Sequence, residues 1–116
     1  MRLRALNEFT AALPLVSPHG KLRSFGDNTE TAIRSGVING IVAEIADAFF
    51  RAQESCGVFD LILTGGDSEL LFPLLENKGI KNVHLDLLLV ERGLNMYARG
   101  GGKVSQVLEC PAFFKN

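Results

Sequence analysis

Residues Val58 to Leu63 (VFDLIL) form a nearly continuous apolar run in which Asp60 is the one polar residue. Such a run suits a strand covered on both faces, as in a parallel sheet, rather than a strand with one solvated side. A strand of that kind needs paired neighbours at its edges and helices above and below. The rest of the chain supplies helices freely and strands sparingly. One further short strand is expected, over Asn82 to Leu85, whereas sheets in α/β domains usually have about five or six. The sequence therefore reads as half of a domain, with companions for the buried strand encoded elsewhere.

The longest expected helix begins behind Asp27 or Asn28 as N-cap and carries Glu30 in its first turn, where the helix dipole favours an acid. Ile33, Val37, Ile41, Ile45 and Phe49 then recur every four residues. Val42, Ala48 and Ala52 widen that stripe, and Gly57 ends it. At about 1.5 Å per residue this is a rod of roughly 42 Å. Gly36 and Gly40 lie one turn apart inside it, and each costs about 1 kcal/mol relative to alanine. Another backbone close against the glycine face would offset that cost, most simply by packing within the chain, otherwise at a dimer seam.

Shorter elements flank this helix. Leu3, Leu6, Phe9, Ala12 and Leu13 have helical spacing, which predicts a helix over Arg2 to Leu13 that Pro14 stops. Its abrupt start suggests material upstream. Leu15 to Gly26, with Pro18 and Gly20, reads as a loop. After the apolar strand, Thr64-Gly65-Gly66-Asp67-Ser68 opens a helix through Leu70, Leu71, Leu74 and Leu75, closed by Asn77-Lys78-Gly79. A last helix is expected over Leu87 to Ala98, with Leu88, Val90, Leu94 and Tyr97 inward. The glycines from Gly100 end regular structure, and Lys103 to Asn116 reads as a tail.

Twelve Lys+Arg against 13 Asp+Glu, a net charge of -1, give no basic field for nucleic acid or anionic lipid. At 116 residues, 47% of them hydrophobic, the chain fits one domain or part of one. Its longest mid-chain apolar run, Leu85 to Val90, contains Asp86 and is far too short to span a membrane. Arg4, Asn7 and Glu8 interrupt the start, so no signal-peptide block is expected. Cys56 and Cys110 form no C-x-x-C pair and are expected as two ordinary thiols in a reducing cytoplasm. His19 and His84 lack a second ligand at helical spacing and read as surface residues, with no metal site.

The strongest chemical signal is strand, then Thr64-Gly65-Gly66-Asp67-Ser68, then helix. Paired glycines either make a tight connection or let a ligand approach the backbone beside a helix N-terminus. The segment lacks the lysine of a P-loop and the spacing of a dinucleotide fingerprint. Thr29 is similarly two-sided: a helix cap, or a hydroxyl that holds an anion beside free N–H groups. Of the carboxylates, Asp47 reads as a solvated helix face, Asp60 sits within a strand, Asp67 is expected to cap, and Asp86 has no second acid beside it. No catalytic residue is assigned.

Four segments in this order resemble type III pantothenate kinases, of the sugar kinase, heat-shock cognate and actin-like superfamily. They are M-R-x-R-A-L-x-x-F-T-A-x-L-P (Met1 to Pro14), N-T-x-x-A-I-x-S-G-x-x-x-G (Asn28 to Gly40), T-G-G-D (Thr64 to Asp67) and H-L-D-L-x-L-x-x-G-L-N (His84 to Asn95). The last departs from the family at His84-Leu85-Asp86, where an acidic residue and proline are usual. The resemblance implies an α/β fold, the C-terminal half of a ribonuclease H-like (actin-like ATPase) domain over residues 1–99, with 100–116 as a tail. It implies ATP-dependent phosphorylation of pantothenate, the first step of coenzyme A synthesis, in a cytoplasmic homodimer needing magnesium and a monovalent cation, potassium or ammonium. By position, Thr29 would contact pantothenate from the neighbouring subunit, and Thr64, Gly65 and Gly66 would line the adenosine side. The family's catalytic aspartate, first phosphate loop, G-A-D-R segment and cation-binding aspartate belong to the N-terminal half, which this sequence lacks. The alternative expectation is a non-catalytic relative serving as a dimerisation or interaction module.

Overall fold

The computed structural model describes residues 1–100. In chain order they form α1 (Arg2–Glu8), α2 (Thr29–Cys56), β1 (Leu61–Leu63), α3 (Ser68–Asn77), β2 (Val83–Leu85) and α4 (Leu89–Ala98). This is a small α/β arrangement. By its internal contacts the chain divides into two units, Met1–Ile45 and Ala46–Asn116. The expected tail from Lys103 lies outside the described residues.

In the first unit, α1 ends at Glu8 rather than reaching Leu13. Side chains take over its C-terminal carbonyls: the Thr10 hydroxyl donates to the Leu6 carbonyl. The Leu13 N–H donates to Thr10 Oγ1 at 3.3 Å, and Asn7 Nδ2 to the Leu13 carbonyl at 2.8 Å. Local bonds of this type compete with continued helix. The loop that follows is fastened to α2. Gly26 passes so close to the Ala32 backbone that a Cβ there would collide with it.

Buried side chains of this unit are Leu3, Val16, Ile38 and Val42, with Ser35 and Arg34 beside them in the sequence of α2. Of the expected stripe Val42 and Phe49 are buried, while the rest of the inward face is displaced by one residue. Ile33, Val37, Ile41 and Ile45 are only half-buried, and the row Arg34, Ile38, Val42 faces inward. A one-residue step is a rotation of about 100°, and with apolar residues on both rows the periodicity could not choose between them.

In the second unit, Phe49 is buried, with ring centroids 5.0 Å from Phe59 and 5.6 Å from Phe50. Gly57, at φ +80°, ends α2. β1 and β2 pair in parallel, Leu61 opposite Val83, Ile62 opposite His84 and Leu63 opposite Leu85. α3 connects them and packs on β2. Leu63, Leu75, Ile80 and Val83 are buried. α3 closes in a Schellman motif: the Gly79 N–H bonds the Glu76 carbonyl at 2.9 Å and the Ile80 N–H the Leu75 carbonyl at 3.4 Å. Gly79, at φ +91°, takes the left-handed position, and Leu75 and Ile80, the positions that such a motif pairs, are both buried. α3 runs on through Pro73, which removes one backbone donor from it.

Three expectations are corrected here. β1 is shorter than Val58 to Leu63, Val58 is exposed, and Ile62 is 50% exposed, so the strand is covered on one face only. No third strand joins the pair among the described residues. α4 buries none of its residues: Leu88, Val90, Leu94 and Tyr97, expected inward, are all exposed. Cys56 is disulfide-bonded rather than an ordinary thiol, and Cys110 lies outside the described residues.

Candidate functional site

Thr64, Gly65 and Gly66 come together in the turn between β1 and α3, and all three are exposed. Gly65 has φ +96°, a conformation that glycine adopts without strain. Its carbonyl accepts two bonds from Ser68, from the N–H at 3.2 Å and from the buried hydroxyl at 2.5 Å. These bonds lock the turn from beneath. Asp67 occupies the N-cap position, but its carboxylate makes no capping bond, contrary to its expected role. The start of α3 is therefore left open to solvent.

Gly66 is the informative residue. Its φ is not positive, and a Cβ built on it would meet nothing within 4 Å. Neither the backbone nor the packing of this chain requires glycine there. The same holds for Gly36 and Gly40, exposed on α2 with open space where side chains would stand. Intrachain packing, the simpler expectation for that pair, is thus overturned. Together with Arg2, Ala5, Leu6, Phe9, Thr10 and Val37 they line an open, mostly apolar groove of about 500 Å³.

Thr29 stands in the other unit, as the first residue of α2, exposed. It is not the cap. Asn28 is: its Oδ1 accepts the Thr31 N–H at 2.9 Å, while the Asn28 N–H donates to Thr31 Oγ1 at 3.2 Å. The exchange is a capping box with threonine in the place of the usual Glu or Gln. The Thr31 hydroxyl also donates to Asp27 Oδ1 at 2.9 Å. No hydrogen bond of the Thr29 hydroxyl is found among the described residues, so that hydroxyl is available to a ligand.

Four of the five aspartates are engaged at the surface. Asp27 pairs with Arg23 at 2.9 Å, Asp47 with Arg51 at 2.9 Å, Asp60 with His84 at 3.4 Å and Asp86 with Arg92 at 3.0 Å. None sits in a buried, desolvated pocket of the type that makes a carboxylate a strong base. No group of three or more His, Cys, Asp or Glu side chains is gathered for a metal among the described residues. No helix of these residues is long and apolar enough to cross a membrane.

Sequence reasoning missed the buried Arg34–Ser35 pair. The (i, i+4) spacing of Glu30 and Arg34 was the available signal, and it reads equally well as an exposed surface pair.

A family model described as type III pantothenate kinase matches residues 1–51. Curated proteins with that name are also similar to this chain. The one from Christiangramia forsetii is 40% identical over 82 residues, 71% of this chain and 34% of the relative. The one from Phocaeicola vulgatus is 41% identical over 95 residues, 82% of this chain and 38% of the relative. The one from Porphyromonas gingivalis is 40% identical over 98 residues, again 82% and 38%. The chain thus spans little more than a third of the length of the curated relatives it matches. Over that span, it belongs to the type III pantothenate kinase family.

Proposed function

We propose that this chain is the adenosine-side and dimer-facing portion of an ATP-dependent pantothenate kinase acting in the cytoplasm at the first step of coenzyme A synthesis. Residues 1–99 would form the C-terminal half of a ribonuclease H-like (actin-like ATPase) domain. The β1–α3–β2 unit, parallel and one-sidedly covered, supports that architecture. The observation that carries the reading is the open space at Gly66 beside an exposed turn and an uncapped helix start. A glycine that its own fold does not need fits a turn against which another molecule lies.

In this reading Thr64, Gly65 and Gly66 bind the adenosine side of ATP through backbone groups, and the Ser68 bonds to Gly65 hold the turn in shape beforehand. Thr29 presents its free hydroxyl to pantothenate in the neighbouring subunit. ATP supplies the transferred phosphoryl group. The described residues gather no ligand set for magnesium or for potassium or ammonium, so no step is assigned to those ions. The pantothenate hydroxyl loses its proton to a base in the N-terminal half that the family resemblance implies, outside these 116 residues. The exposed apolar face of α4 and the uncovered Ile62 are surfaces that such a half would cover.

The test is an assay of pantothenate-dependent ADP release. The chain alone is expected to give none. Turnover should appear when it is mixed with the part of the Phocaeicola vulgatus kinase outside the matched segment. Stable association without turnover would reject the kinase reading in favour of a non-catalytic interaction module.

The homodimer makes a separate prediction. Gly40→Leu has room within its own chain and should favour α2 by just under 1 kcal/mol on helix propensity. It also fills the groove beside Gly36. The active assembly should therefore shift toward monomer in sedimentation, while helicity is kept. An unchanged dimer would remove the glycine face from the interface.

A further inference from the structure

Arg34 has a side chain only 7% exposed, in the second turn of α2. A buried guanidinium loses its hydration and needs partners for its N–H groups. Its position needs a reason, and its hydrogen bonds give one. Nε donates to the Ser17 carbonyl at 2.8 Å, and Nη2 donates to Glu30 in the first turn of α2 at 2.5 Å. The guanidinium lies against Gly20, where a Cβ would stand 2.8 Å from Cζ and where φ is +141°.

The next residues of α2 continue the attachment. Ser35, 1% exposed, accepts the Arg23 N–H at 3.0 Å on its hydroxyl, and Asn39 Nδ2 donates to the Arg23 carbonyl at 2.9 Å. α2 thus fastens the segment that leads into Asn28 and Thr29 at two points, Ser17 and Arg23.

We infer that Arg34 is a positioning residue for the substrate end of α2: it fixes the Ser17–Asn28 segment and, through Glu30, the turn that presents Thr29. This rests on the kinase reading for what Thr29 touches, and not for the clamp itself. A planar fork is required, because it reaches a carbonyl on one side and a carboxylate on the other at once. Lysine offers one ammonium and cannot span both.

The first experiment is amide hydrogen exchange on the 116-residue chain. In Arg34→Met, which keeps the apolar stem, exchange at Arg23, Asp27 and Asn28 should quicken about tenfold, the size of one lost bond to a charged group. Ile38 and Val42 should not change. Gly20→Ala should reproduce the effect from the opposite side of the contact, and Arg34→Lys should not rescue it. The second experiment uses the mixed kinase: pantothenate KM should rise about tenfold for Arg34→Met, with kcat and ATP KM within about twofold. Unchanged exchange in both variants overturns the clamp whatever the enzyme does. Quickened exchange with an unchanged pantothenate KM in an active mixture overturns the positioning role. An inactive wild-type mixture defeats the kinase reading and, with it, the substrate role of Arg34.

Discussion

Replacing Leu75 with alanine is expected to destabilise the Ala46–Asn116 unit by about 3 kcal/mol, within the range for buried leucines that leave a cavity. Leu75 is 0% exposed. It also belongs to the Schellman motif that closes α3, since its carbonyl accepts the Ile80 N–H, and both Leu75 and Ile80 are buried. Truncation opens a cavity and removes the apolar half of the helix stop together. In so small a unit that loss is a large share of the total stability. Urea unfolding should show a lowered midpoint with a similar slope. Glu76→Ala, one residue along and exposed, should stay within about 0.5 kcal/mol. A Leu75→Ala cost below about 1 kcal/mol would mean that α3 is not docked on the parallel pair in solution.

Gly66→Val should weaken ATP use about 100-fold, close to 3 kcal/mol, while leaving the fold intact. The two halves of that statement have different sources. The fold should tolerate valine because φ at Gly66 is not positive and a Cβ finds nothing within 4 Å. The ligand should not, because a branched side chain fills the space through which adenosine would approach the turn. Gly65→Ala supplies the contrast. At φ +96° it should cost about 1 kcal/mol of stability through backbone strain. In the mixed kinase, the readout is ATP KM, with pantothenate KM as control. An active Gly66→Val enzyme with an ordinary ATP KM would remove this turn from the nucleotide site.

Local signals carried far along the chain, and particular residues show where they stopped. The Asn28 cap and the Gly57 stop bracket α2 as Thr29–Cys56, because caps and left-handed glycines are properties of a few neighbouring residues. The Gly79 stop of α3 was readable for the same reason. The inner face of α2 was legible only in part: Val42 was expected inward, but two adjacent rows carry comparable apolar residues, and only the packed neighbours select Ile38 over Val37 and Ile41. Thr29 was expected as a site residue by resemblance alone, and its hydroxyl could be shown free of capping only once Asn28 and Thr31 were seen bonded to each other. Arg34 was illegible, since an (i, i+4) Glu–Arg pair reads as an ordinary surface pair until a loop folds over it.

Sequence alone determined the order of helices and strands, the two glycine stops, the Thr64-Gly65-Gly66 turn and the shortage of strands around an apolar run, all set by residues close in the chain. Tertiary structure decided which glycines are demanded by the fold and which stand beside open space, and it left Ile62 and the apolar face of α4 without cover. Those outcomes depend on what lies across a gap, and neighbours across a gap come from distant parts of the chain, which spacing within one segment does not encode.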